Sequence, residues 1–427
     1  MTDQEHFALK QLIKFHFFTS LAISLAANWA VTDLLMLKMD FDLAKFGVVK
    51  GNMFLVPAVS YFLVSGFLGR LNKDIQICQW GYFLRVALPI VLPLLALTDI
   101  SKETLLWVTA GIMAVGYTCA MFANNTLLKI MQNTLPAGEL NKRAVFLNSL
   151  LGVPGALLCI PAVWFLTRAG SEPKVFLIWF AILQTTVVLF EYPAIRAIGK
   201  IKMPQMPVAA QNKAFPFRHV LTRNLCMLFS LTILHGIWMG LCATYFVVYL
   251  LKNDGISPST IMWIEAGLSV FALLAGPCFG KLVDKWGYPL TMTACSALIA
   301  AVSFLWVRQF TFTPVLFLFC ATVYNGNNGF LSSMLRQSEG LASVRLAPPA
   351  CAEFSVGLGA LLFALGTVAG CFFAGSLYTH LNGSLEEYFR WCARGPVIMF
   401  LLSAVWLAVA RRAAMKGKEN ESLENAN

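Results

Sequence analysis

Six ionisable side chains stand inside or at the edge of apolar runs: Asp33, Arg85, Glu191, His235, Glu265 and Glu353. A charge in hydrocarbon costs several kcal/mol, so each needs a partner, a wet cavity or a function. The chemistry open to these types is proton transfer and ion pairing. The imidazole of His235 titrates near neutrality, and the carboxyls of Asp33 and Glu265, set among apolar neighbours, can take up and release a proton. No nucleophile stands beside a positioned base and no metal-ligand spacing occurs, so neither an enzyme nor a cofactor is expected. The 11 cysteines lack paired spacing and read as small buried hydrophobes. The absence of a Walker-type phosphate loop excludes the usual form of ATP-driven pumping.

A second set of polar groups is uncharged. His235, Trp238, Cys242, Tyr245 and Tyr249 recur at the spacing of one helical face. Amides cluster elsewhere: Asn28, then Asn124 and Asn125 two turns from Tyr117, then Asn325, Asn327 and Asn328. Asn is costly in lipid unless it is hydrogen-bonded. Amides and aromatic rings around a cavity can bind hydroxyls and stack on rings. Asn28, Tyr117, Asn124, His235, Trp238, Tyr245, Asn325 and Asn328 are therefore the expected contacts of an uncharged or weakly charged polar organic solute. For the aromatic stripe, plain packing stays open as the alternative.

The elements that must position these groups are membrane helices. Hydrophobic residues make up 58% of the chain and charged ones 12%, which no soluble domain matches. Apolar stretches of about 20 residues, enough to cross a bilayer core, fall at 13–36, 46–69, 77–97, 104–128, 144–167, 174–198, 222–251, 259–283, 288–307, 312–335, 350–378 and 394–411. The first follows Glu5, Lys10 and Lys14 without a small-residue cleavage site, and is read as a retained span. A basic, Pro-containing stretch at 199–221 joins a bundle at 1–198 to one at 222–411. The polar tail at 412–427 is expected to be disordered. Corresponding spans begin about 210 residues apart, as in a structural repeat. The fold class expected is an all-α membrane protein, twelve transmembrane helices in two pseudo-symmetric six-helix bundles.

The net charge of +11 does not imply nucleic acid. Lys and Arg are about twice as frequent in the connections on the side of the termini, which places both termini in the cytoplasm of a cell inner membrane. By helical rise, His235 falls near the midplane, Arg85 within about 3 Å of it, Glu265 about 8 Å outward and Asp33 about 12 Å outward.

One charged segment adds a family resemblance. Gly280-Lys281-Leu282-Val283-Asp284-Lys285-Trp286-Gly287 has a weaker echo in Gly69-Arg70-Leu71-Asn72-Lys73-Asp74. With the length and topology, these residues make the chain resemble the major facilitator superfamily from about residue 13 to 412. The resemblance implies a cavity lined by helices 1, 4, 7 and 10, contact between halves through helices 2, 5, 8 and 11, and support from helices 3, 6, 9 and 12. It implies a secondary transporter, expected here to be a monomer in the bilayer that moves a small-molecule substrate by symport with protons through Asp33 or Glu265. Asp33 has a second reading, an outer-gate salt bridge with Lys38 or Lys45. Arg85 and Glu191, both on supporting helices, are expected to neutralise each other. Gly280 and Asp284 are expected in a turn that forms a gating latch, with Arg143 or Arg336 as basic partner. Gly366 and Gly370 suit a helix that slides between the halves, and packing alone explains them about as well. The echo departs from the family pattern at Asn72 and Lys73. Ile112, four residues before Gly116, and the loose Gly152-Val153-Pro154-Gly155 weaken a drug-efflux reading. An uncoupled facilitator, an exporter of amphipathic compounds or lipid, and a transport-dead sensor are the alternatives.

Overall fold

A computed structural model describes residues 2–26, 29–68, 73–135, 140–170, 172–202, 222–252, 256–286, 288–307, 352–424 and six helical positions between Leu335 and Leu346. Among these residues the chain is helical throughout, and eight helical stretches are long and apolar enough to cross a membrane.

Span 1 is α1 (Asp3–Ile23) and α2 (Trp29–Lys38), separated by a turn at residues 24–26. The first helix opens on a capping box. The Thr2 hydroxyl accepts from the Glu5 amide, and the Glu5 carboxylate accepts from that of Thr2. Span 2 is α3 (Leu43–Leu68). Span 3 is α4 (Asp74–Ala87) and α5 (Val91–Ala96), joined by a 3-10 turn at Leu88–Ile90. Pro89 and Pro93, which cannot donate to the helical ladder, account for that break. Spans 4 and 5 are α6 (Lys102–Thr134), capped by Ser101, and α7 (Leu140–Ala169). Span 6 is α8 (Pro173–Val188) with α9 (Glu191–Ile198).

In the second half, α10 (Arg223–Lys252), α11 (Pro258–Trp286) and α12 (Tyr288–Val307) are spans 7 to 9. Span 11 is α13 (Ala352–His380). A short capped helix, α14 (Leu385–Cys392), precedes span 12, α15 (Gly395–Glu424). Eleven of the twelve expected spans thus fall on helices, and residues 312–334 of the other lie outside the described residues.

The packing has the symmetry that the repeat predicts. Helix α1 packs on α7 and α9, and α10, its counterpart, packs on α13 and α15. The halves meet through α3 on α13 and α7 on α11, which are spans 2, 11, 5 and 8. One apolar core runs through both halves, with Phe46, Val49 and Met53 in the same cluster as Met239, Phe246 and Phe363.

Three expectations are corrected here. The segment from Gly280 to Asp284 is no turn, because α11 continues to Trp286 with no breaker before Gly287. Asp284 therefore ends one helix instead of standing free at the start of the next. The Gly366 and Gly370 pair faces Ile233 and Ile237 of α10 in its own half, not the other bundle. The last helix runs on to Glu424, into the stretch expected to be disordered, whose Ala, Lys, Glu and Met residues are good helix formers.

Candidate functional site

Asp33, on α2, is fully buried. Its partner is Lys50, seven residues into α3 and 1% exposed. The ammonium lies 2.8 Å from the Asp33 carboxylate and donates also to the carbonyls of Ala243 (2.6 Å) and Thr244 (3.2 Å) on α10. An ammonium has three donors, and all are placed. Two helices of one half are thereby tied to the backbone of a helix in the other. The pair expected for Asp33 was Lys38 or Lys45, but Lys38 lies over the Phe176 ring at 5.4 Å and Lys45 sits exposed in the first turn of α3.

The same region is closely packed. A Cβ on Gly47 of α3 would overlap the Cys371 carbonyl of α13, and the Cys371 thiol, fully buried, donates to the Gly240 carbonyl of α10 at 3.6 Å. The Tyr388 hydroxyl of α14 donates to the neighbouring Leu241 carbonyl at 2.7 Å. Donors from α3, α13 and α14 thus gather on carbonyls 240–244 of α10.

A second buried pair lies in the C-terminal half. His235 Nδ1 is 2.9 Å from Glu339 Oε1, and both residues are buried. Sequence reasoning missed Glu339 because it placed residues past 335 in a connection. Leu335, Glu339, Gly340, Ala342, Ser343 and Leu346 are all helical, and the first proline is Pro348. The aromatic stripe shares this interior. His235 and Trp238 rings stand 6.5 Å apart, Trp238 abuts Gly395 at the start of α15, and Tyr245 contacts the rings of Tyr378 and Tyr388 at 4.9 and 5.1 Å. His235, Trp238 and Tyr245 are at most 2% exposed.

In the N-terminal half, Tyr82 on α4 donates its hydroxyl to Asn124 on α6, whose side chain is otherwise exposed. Tyr117, also on α6, is half-buried between Phe54 of α3, with rings 6.5 Å apart, and Arg85 of α4, whose guanidinium carbon is 5.8 Å from the ring centroid. Arg85 and Glu191 form no salt bridge with each other among the described residues, although the Arg85 charge acts on the Glu191 carboxyl. Glu191 is fully buried and accepts instead from the Thr19 hydroxyl at 3.2 Å, because the break before α9 turns it toward α1.

Glu265 is fully buried on α11, on the side of Cys159 in α7, and so lies at the second contact between halves. Arg143 stands half-buried in the first turn of α7. Glu353 falls in the first turn of α13. The helical positions of Gly280 and Asp284 are described but not their side chains, and Asn28, Asn325, Asn327, Asn328 and Arg336 lie outside the described residues.

Residues 226–426 match the family model of the Major Facilitator Superfamily. No curated protein sequence matches the chain. Among solved structures, a point mutant of the nucleoside transporter NupG superposes with a TM-score of 0.64 at 14% identity, over 93% of this chain and 99% of that one. A bacterial homologue of the iron transporter ferroportin, in an inward-facing state, gives 0.64 at 16% identity over 93% and 98%. A point mutant of the E. coli fucose:proton symporter FucP gives 0.62 at 12% over the same shares.

Proposed function

We propose that this chain, a member of the major facilitator superfamily, carries a small polar organic solute across the membrane by alternating access, in symport with protons. The single observation that carries this reading is the clamp at Lys50. For the halves to part at that end, the ammonium must leave the Thr244 and Ala243 carbonyls, and Asp33 must face water or lose its charge. Protonating Asp33 removes the ion pair and loosens the clamp. Breaking one side of a buried pair costs about 3–5 kcal/mol, enough to move an open-to-closed ratio by about a hundredfold to several thousandfold. With both termini cytoplasmic, as the charge distribution supports, the clamped end is the outer one, and the proton enters from outside.

Tyr117 and Asn124 are the proposed solute contacts of the N-terminal half, with Asn28, Asn325 and Asn328 as proposed further contacts. His235, Trp238 and Tyr245 would join them once the C-terminal half opens. Glu265, at the other contact between halves, is the second proposed proton group, and Gly280, Asp284, Arg143 and Arg336 are the proposed inner latch. That the relatives of like fold include a fucose:proton symporter agrees with this scheme.

Purified protein in liposomes, screened with labelled sugars, nucleosides, amino acids and organic acids under an inward proton gradient, tests it. Acid outside should drive accumulation, and Asp33→Asn should abolish accumulation while sparing exchange of solute already inside. Accumulation that survives in both Asp33→Asn and Glu265→Gln would remove the coupling assignment. The full ion pairing of Asp33 favours one other reading, an uncoupled facilitator whose latch is structural; flux indifferent to the gradient would establish it.

A further inference from the structure

Two buried cysteines face each other from elements far apart in the chain. Trp238, Cys242 and Tyr245 share one face of α10. Tyr388, Cys392 and Gly395 follow at steps of four and three residues along α14 and into α15. The end members of the two sets touch: the Tyr245 and Tyr388 rings stand 5.1 Å apart, and a Cβ on Gly395 would overlap the Trp238 ring. The register is pinned by the Tyr388 hydroxyl, which donates to the Leu241 carbonyl at 2.7 Å, next to Cys242. The middle members, Cys242 and Cys392, therefore oppose each other, and their thiols are joined by a hydrogen bond. They are 1% and 3% exposed, and both are free.

A single buried thiol serves as a small hydrophobe, but two in contact from separate elements can also form a bond. Their setting favours it. Helix α14 has only two turns, is capped by Ser384, and carries Glu386 and Arg390 exposed on its other side. It stands in the connection between spans 11 and 12, an outer one in the orientation that the charge distribution supports. Disulfides form and persist on that side of a membrane. So short an element lifts by local opening, at far less cost than unfolding the bundle, and that motion bares both sulfurs.

We infer that Cys242 and Cys392 are a redox-sensitive dithiol whose disulfide straps α14 to α10. The oxidant is a disulfide of the outer compartment, small or protein-borne. One thiol gives up its proton and, as thiolate, attacks a sulfur of the oxidant, which forms a mixed disulfide and releases one oxidant thiol. The second cysteine then displaces the remaining oxidant sulfur and closes the bond between Cys242 and Cys392. Two thiols and one disulfide become one disulfide and two thiols, with protons conserved. The strap holds the Leu241 carbonyl beside those of Ala243 and Thr244, which the Lys50 clamp uses, so oxidation stiffens the clamped end. The inference needs the outer position of α14, not the cargo or the coupling of the carrier.

The test treats the full chain in detergent with dithiodipyridine, a small apolar disulfide, caps the remaining thiols with maleimide, and maps peptides by mass spectrometry without reduction. A peptide pair joined through Cys242 and Cys392 should appear and should vanish with dithiothreitol, while the exposed Cys226 carries a simple adduct. Amide hydrogen exchange in α14 should slow at least tenfold in the oxidised protein. Neither change should occur in Cys392→Ala, and should that variant fail to fold, the peptide map of the parent decides. Separate adducts on Cys242 and Cys392 overturn the inference. So does linkage of either to another cysteine such as Cys371, or no reaction at the pair while Cys226 reacts. A cross-link that leaves exchange in α14 unchanged overturns it as well, because the bond would then strap nothing.

Discussion

Lys50 and Asp33 should behave as a unit under mutation. Lys50→Ala leaves a buried carboxylate without its cation, at a cost of about 3–5 kcal/mol. The double variant Asp33→Asn/Lys50→Met, which removes both charges, should unfold close to the parent in a thermal melt, and an equal loss in both variants would deny the pairing. Glu339→Leu should cost about 1–3 kcal/mol by orphaning the buried His235 ring, while Glu339→Gln, which keeps an acceptor, should cost less. At the membrane surface, Lys102 pairs with Asp40 and holds its carboxyl below the usual aspartate range. That contribution is present above the ordinary aspartate pKa and fades as pH falls through the lowered one. Both groups are exposed, so Asp40→Asn should move Tm by no more than about one degree at pH 7. Asp33, His235 and Glu265 were legible in the sequence because each interrupts an apolar run. Lys50 and Glu339 were not, because each sits where an apolar window meets a polar end, and hydropathy alone cannot say whether the helix goes on. Only the fold shows that α3 starts at Leu43 and that Glu339, Gly340, Ala342, Ser343 and Leu346 are helical.

The contact of α10 with α13 depends on glycine at specific turns. A Cβ on Gly240 would press into the Thr367 carbonyl, and one on Gly370 into the Ile237 carbonyl. Either Gly→Ala change should separate these helices and lower Tm by several degrees. Gly111 on α6 has nothing within 4 Å of a built Cβ, so Gly111→Ala should be neutral or stabilise by up to about 1 kcal/mol. Melts that rank the variants otherwise would contradict this packing. The sequence marked Gly366 and Gly370 as a close-approach pair but could not say which helix approaches. Spacing defines a face, and the neighbour on that face is a property of the bundle. Element ends were less legible than element existence for the same kind of reason. Lys281 to Lys285 look like a turn by charge, yet contain nothing that stops a helix.

At the scale of the whole molecule, composition, twelve apolar runs and a repeat of about 210 residues were enough to predict two related bundles. The polar contacts between them were not accessible, since they join residues far apart in the chain, such as Lys50 and Ala243. The central claim is that this cross-bundle clamp holds one end of the carrier shut. Cys371 reports on it directly, being fully buried where α3, α10 and α13 converge. Site-resolved alkylation by a membrane-impermeant maleimide, read by mass spectrometry, should be slow at Cys371 in the parent and at least tenfold faster in Lys50→Ala. The exposed Cys226 should serve as the unchanged control. An unaltered rate at Cys371, or a uniform rise at all cysteines, would contradict the account.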